Sequence, residues 1–254
     1  RNVSPVLKDI ADTISSIPLA RKMEDCPKVL IVGEIYVRRD DFAVEELIKL
    51  FSHHGIVAKV ANVIEWFYYC DFVRHYELKK RMKLAPWYRR IFTDEFKDLI
   101  GWHIEHIYKK KVEKEVRDIL STTNLVPHSP HNMKEIMKNT ENHFVNHELH
   151  SEICISSGVA ATAMMNGYSG IVNISPFACL IGRVIEGIYT PWARQRKYPT
   201  ISVEIDGNLL PPNVLSNLEI FMLNVKRFRG KDDPHSMVER REEARASVDR
   251  KIIR

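Results

Sequence analysis

The stretch from Gly167 to Glu186 constrains the fold more than any other part of the chain. A glycine turn leads into the apolar run Ile171 to Ile174, which reads as a buried strand closed by Ser175 and Pro176. An amphipathic pattern follows, with Leu180, Ile181, Val184, Ile185 and Ile188 on one stripe. Strand, tight loop and helix therefore follow one another, with Cys179 at the mouth of the helix. Backbone N–H groups at a helix N-terminus favour negative charge, so a thiol there is biased toward thiolate, the form that binds metal or attacks a substrate. The plainer reading, a small residue buried in a turn, stands beside it.

Three further strands are expected. Lys28 to Val37 is an apolar run too continuous for a half-exposed strand, and reads as a central parallel strand covered on both faces. Asp40 and Asp41 are N-cap candidates for a helix striped by Val44, Leu47, Ile48 and Phe51, which Gly55 is placed to stop. Ile56 to Val63 completes a β-α-β unit of about 36 residues. Pro199 to Gly207 supplies the fourth strand, and the closing helix, Asn213 to Phe228, carries Leu218, Phe221, Met222 and Val225 as its inward stripe. Ile153 to Met165 is a small-residue helix suited to lying close on a sheet. Strands alternating with helices give an α/β fold, a parallel sheet of about four strands with helices on both faces.

The domain reading is then residues 1–25 as an N-terminal helix and linker, residues 26–228 as the α/β domain, and residues 229–254 as a charged tail. The N-terminal helix carries Val6, Ile10, Ile14 and Ile17 at helical spacing. A long helical insertion occupies about 67–146, with Pro127 and Pro130 marking loops. Trp66, Tyr69, Trp87, Tyr88 and Trp102 are interleaved there with basic runs. Between Asp71 and Leu120 there are 13 Lys and Arg against 9 Asp and Glu, so the cations face enough acids to read as a solvated helix surface rather than a nucleic-acid reader. His143, His147 and His150 fall on one face if a helix runs through them, a spacing that would suit zinc, although ordinary cap and surface positions are the better reading.

The whole chain has the composition of a soluble globular protein, with 44% hydrophobic and 28% charged residues, and no apolar run long enough to span a membrane. Cys26, Cys70, Cys154 and Cys179 are scattered, without a CxxC pair, which points to a reducing, cytoplasmic setting and away from a disulfide framework. The sequence opens on Arg1, without an initiator methionine or signal core, and reads as a piece of a longer protein. No GxGxxG or GxxxxGK[ST] loop occurs, so neither a dinucleotide fingerprint nor a P-loop is supported.

In parallel sheets of this kind ligands bind beyond the carboxyl ends of the strands. Those ends carry Gly33, Glu34 and Tyr36; Glu65 and Trp66; Ser175, Pro176, Phe177 and Cys179; and Asp206 and Gly207. Glu34, Glu65 and Asp206 are the acid/base candidates, each also explicable as a cap or a loop anchor. Cys179 is the one soft ligand expected on that edge, and one thiolate does not hold an iron–sulfur cluster.

The segments Val32 to Arg38, Ile64 to Trp66 with Tyr69, Gly170 to Cys179, Ile205 to Gly207 and Leu218 to Phe221 occur in an order and spacing that resemble the C-terminal part of the 2-hydroxyacyl-CoA dehydratase, D-component-like proteins. The resemblance is to the branch fused or related to the CoA-substrate-specific enzyme activases, and covers roughly residues 28–70 and 147–226. It implies flavodoxin-like domains bracketing a 4Fe-4S cluster, an ATP-dependent activase as electron donor, and radical chemistry on an acyl-CoA. It assigns Cys179 as one cluster ligand. Gly33, Tyr36, Trp66, Ser175, Pro176, Phe177 and Gly207 would line the cofactor, and the remaining ligands would come from an upstream half of the parent protein or a second subunit. The loop here reads Cys179-Leu180-Ile181-Gly182, where the family continues with Met-Pro-Gly after the cysteine. Two other readings remain: a non-catalytic docking domain that kept the fold, and a metal-free site for CoA phosphates on the basic insertion.

Overall fold

A computed structural model describes residues 4–84, 86, 93–123, 125 and 132–228. The charged tail, Trp87, Tyr88 and the Pro127–Pro130 loops lie outside the described residues. The chain divides into two compact units, Arg1–Asp25 with Asn62–Met133, and Cys26–Ala61 with Lys134–Arg254.

The second unit is the α/β one. Its strands are β1 (Lys28–Gly33), β2 (Val57–Val60), β3 (Gly170–Pro176) and β4 (Thr200–Ile205), all parallel, in the order β2-β1-β3-β4. This is the expected flavodoxin-like sheet. Two helices, α2 (Asp41–His53) and α8 (Pro212–Phe228), cover one face. The side chains they meet alternate along the strands: Val29 and Ile31, Val172 and Ile174, Val203 and Ile205. Leu47 and Phe51 from α2, and Leu218, Phe221, Met222 and Val225 from α8, close that layer. On the other face α6 (Glu152–Met165) packs on β1 and α7 (Leu180–Gln195) on β3.

Strand limits move where backbone chemistry dictates. β1 was expected to run to Val37, but Gly33 turns out of the sheet at φ +119° and the Glu34 carboxylate accepts the Val37 N–H at 2.9 Å, folding residues 34–37 into a turn. β2 is shorter than the expected 56–63, and β4 than 199–207. β3 runs on through Pro176. Ile171 and Phe177 donate their N–H groups toward β4, so the even-numbered residues point theirs toward β1. Because β1 ends opposite Ile174, the nitrogen of Pro176 faces no ladder and its missing N–H costs nothing.

The small residues of α6 do what their size permits, and eleven of its fourteen residues are buried. Their hydroxyls are satisfied locally, Ser157 to Ile153 O at 2.6 Å and Thr162 to Gly158 O at 2.7 Å, while Ser156 reaches Gly33 O at 3.3 Å. Preceding it, α5 (Met133–His143) lies largely in this unit rather than in the insertion. The α5 helix ends because Phe144 and Val145 both turn their N–H groups back onto Thr140 O, at 2.8 and 3.1 Å. The three histidines therefore share no helix face. His143 closes α5, His147 pairs with Glu141, and His150 sits at φ +48° in the left-handed region.

The first unit is helical: α1 (Ser4–Ser15), α3 (Ile64–Leu84) and α4 (Asp94–Leu120). Tyr68 bonds Glu113 at 2.6 Å, Asp71 bonds Lys109 at 2.8 Å and Arg74 bonds Glu105 at 3.2 Å, so partners descend α4 as they climb α3 and the pair is antiparallel. Lys109 of the basic insertion thus meets an acid of the facing helix, while Lys110 pairs within α4 with Glu113 at 3.4 Å. The α1 helix lies against α4, and Ser4 donates to Glu115 at 2.6 Å. Its inward positions are Leu7, Ala11 and Ile14, whereas Val6, Ile10 and Ile17 face out, a rotation from the stripe that the apolar residues alone suggest.

Candidate functional site

At the centre of the sheet β1 and β3 lie side by side and their chains depart in opposite directions, one toward β2 and the other toward β4. The crevice outside their carboxyl ends is the topological switch point, where such folds bind ligands. On the β1 side Glu34 donates its N–H to Ile174 O at 3.0 Å, which ties the departing loop to β3. Arg38, buried to 6% exposure, donates from Nη1 to Ala61 O at 3.1 Å and so anchors the same loop against the end of β2.

On the β3 side Ser175 is buried against α7 at Gly182, and Phe177 stands in solvent. Ala178 adopts φ +56°, a left-handed conformation unusual for alanine, and delivers Cys179 to the N-cap of α7. The Cys179 backbone does the capping, its carbonyl accepting the Arg183 N–H at 3.0 Å, and its side chain makes no cap bond. The sulfur thus belongs to a half-buried residue with no structural bond of its own at the cap. One carboxylate fixes this loop. Glu204, from β4, accepts the Ala178 N–H at 3.1 Å and the Arg183 guanidinium at 2.7 Å, while Arg183 also reaches Glu186 at 2.9 Å.

The β4 end is a turn. Asp206 accepts the Asn208 N–H at 3.0 Å and Gly207 follows at φ +85°. That bond holds the Asp206 carboxyl below its usual range, which fits an exposed loop anchor better than an acid catalyst. Tyr36, Phe177, Leu180 and Leu209, from the loops at this edge and the start of α7, are each 70–78% exposed. Leu180 was expected on the inward stripe of α7, but as the first helical residue it points away from the sheet, and Ile185, Tyr189, Trp192 and Ala193 form the buried face instead.

A group not anticipated from sequence sits beside Glu34. Glu152, in the first turn of α6, has its carboxyl pushed up by partial burial first and by the nearby Glu34 carboxylate second, against the Ile35 N–H and the Arg38 charge. Glu152 thus joins Glu34 and Arg38 at the mouth of β1, signalled in the sequence only by Ser151-Glu152 as a helix start. The raised Glu152 value has a consequence for stability. Below the ordinary glutamate range the group is protonated in both folded and unfolded chains and contributes nothing. As pH rises from there through the folded value, the folded state must ionise a disfavoured carboxyl, and stability falls. Glu152→Gln should therefore flatten the decline of urea midpoint with pH above the glutamate range; an unchanged slope would place the titration elsewhere.

Of the residues proposed from sequence, Gly33, Glu34, Tyr36, Ser175, Pro176, Phe177, Cys179, Asp206 and Gly207 all fall at the carboxyl edge of this sheet. Glu65 and Trp66 belong to the helical unit, where Glu65 is buried in the first turn of α3 and Trp66 tilts against Tyr69 at 5.4 Å between ring centroids. The other thiols are differently placed. Cys26 precedes β1, and Cys154 is fully buried with its sulfur toward Asn146 O. Cys70 lies in α3, where partial burial and then the Asp71 carboxylate push its thiol up. Among the described residues no group of three or more His, Cys, Asp or Glu is arranged to hold a metal ion.

Compared with known proteins, the chain matches no family model, no curated protein and no solved structure. Fold and edge together define a flavodoxin-like α/β unit with Cys179 at the carboxyl edge of its sheet. No described helix is long and apolar enough to cross a membrane.

Proposed function

We propose that this chain is an iron–sulfur protein's α/β domain, related to the 2-hydroxyacyl-CoA dehydratases and their activases. It lends Cys179 to a 4Fe-4S cluster used in ATP-driven electron transfer to acyl-CoA chemistry. The observation that carries the reading is Cys179 itself, half-buried, freed from any capping bond and set at the switch-point crevice by a strained Ala178 that Glu204 and Arg183 hold in place. The described residues do not fit a whole cluster, because the other thiols are buried, precede β1 or lie in the helical unit. The proposal therefore requires its remaining ligands from another segment or subunit. The exposed Tyr36, Phe177, Leu180 and Leu209 around the crevice suit an edge that such a partner covers. Four cysteines without a disulfide among them suit the reducing cytoplasm, where an oxygen-sensitive cluster survives.

The test is the complete gene product purified without oxygen, as wild type and as Cys179→Ser, with iron, sulfide and visible absorbance measured on both. Loss of cluster iron in the variant, with the far-ultraviolet circular dichroism retained, is the expected result. Equal iron and equal absorbance in the two proteins would remove Cys179 from the ligand set.

A further inference from the structure

At the opposite, amino-terminal side of β4 an open cavity of about 610 Å³ lies between the ends of α7 and α8. Four cations line it, Arg194, Arg196, Lys197 and Arg227, and no carboxylate among the described residues does. The C-terminus of α7 and the last described turn of α8 lie here, and a helix C-terminus calls for about half a positive charge. Helix dipoles therefore account for roughly one cation of the four. Arg196 is committed locally, its guanidinium 4.2 Å over the Trp192 ring and donating to Trp192 O at 3.1 Å. Arg194, Lys197 and Arg227 make no ion pair among the described residues. Elsewhere Lys109 is matched by Asp71 and Arg183 by Glu204.

Lys197 is also held at φ +52°, where glycine would sit without strain, just after α7. The lysine there holds a charge at the cavity mouth at a conformational cost. The walls complete the picture. Thr190, Thr200 and Asn224 add neutral hydrogen-bonding groups, and Phe228 packs edge-on to the buried Tyr198 at 5.3 Å between centroids, giving an aromatic side to an otherwise cationic space. The volume is within the range of small-molecule sites.

We propose that this cavity binds the phosphates of a small polyanion, in the form of inorganic pyrophosphate or a nucleoside diphosphate. The site is independent of the thiol edge and does not rest on the iron–sulfur reading. Calorimetric titration of the full chain with pyrophosphate and, separately, with ADP tests it. Both should bind, with affinity falling as salt is raised, and ADP binding more tightly than pyrophosphate would mean that the aromatic wall takes the base. An Arg194→Gln, Arg227→Gln double variant should lose at least about tenfold in affinity with an unchanged Tm, since both side chains are exposed and form no ion pair among the described residues. Lys197→Gly should also weaken binding while its Tm holds or rises, a combination that general destabilisation does not produce. Absence of binding to both ligands, unchanged affinity in the double variant, or preference for a single-stranded oligonucleotide over both would overturn the proposal.

Discussion

Gly33→Ala is expected to abolish folding of the α/β unit, with a loss on the order of 4 kcal/mol or more. Two costs add. The backbone at this position has φ +119°, which side chains other than hydrogen rarely tolerate. A Cβ there would also lie within the van der Waals radius of Ile174 O, 2.8 Å from Ile174 N and 2.9 Å from Asn173 Oδ1. Those atoms belong to β3, the other central strand, whose Ile174 carbonyl already accepts the Glu34 N–H, so its backbone cannot give way. Relief would require β1 and β3 to part at the switch-point crevice. Urea unfolding followed by tryptophan fluorescence checks it: a cooperative transition at the wild-type midpoint would show that the turn does not need glycine.

The same position illustrates what the sequence makes legible. The apolar run from Lys28 and the glycine after it announce a buried strand that stops, and the run from Ile171 does the same for β3. The inward stripe of α8 reads correctly because Leu218, Phe221, Met222 and Val225 are apolar on one face of a helix with polar neighbours. Periodicity fails where both sides of a helix are apolar or where the partner is small. Leu180 breaks the stripe of α7 by standing at its first turn, outside the reach of the sheet, and α1 turns Ala11 inward rather than Ile10 because α4 approaches closely there. Paired charges from distant segments leave no local trace. The Glu152 cluster, the Glu204–Arg183 clamp on the Cys179 loop and the basic cavity beside Arg227 each join residues dozens of positions apart, and only the fold brings them together.

Gly158→Val should cost about 3 kcal/mol, and should do so through the approach of two helices rather than through a turn. At Gly158 α6 meets α5. An added Cβ would stand 2.6 Å from Ile136 O and 2.9 Å from Ile136 Cγ2, and would collide with Thr140 Oγ1. The carbonyl cannot move without unwinding α5. Thr140 cannot rotate away without losing its bonds to Ile136 O and Cys154 O, at 3.1 and 2.7 Å. Alanine in place of glycine normally favours a helix interior by up to about 1 kcal/mol, so Gly158→Ala sets that gain against the same clash and still loses. The helices have to separate, and the first turn of α6 carries both Cys154 and Glu152. Cys154 is fully buried in the wild type, whereas the other three thiols are not. A thiol reagent under native conditions should therefore label Cys154 faster in the Gly158 variants, in step with the drop in urea midpoint. A midpoint drop with Cys154 still protected would mean that the strain is absorbed within α5, and that the edge holding Glu152 is stiffer than this packing implies.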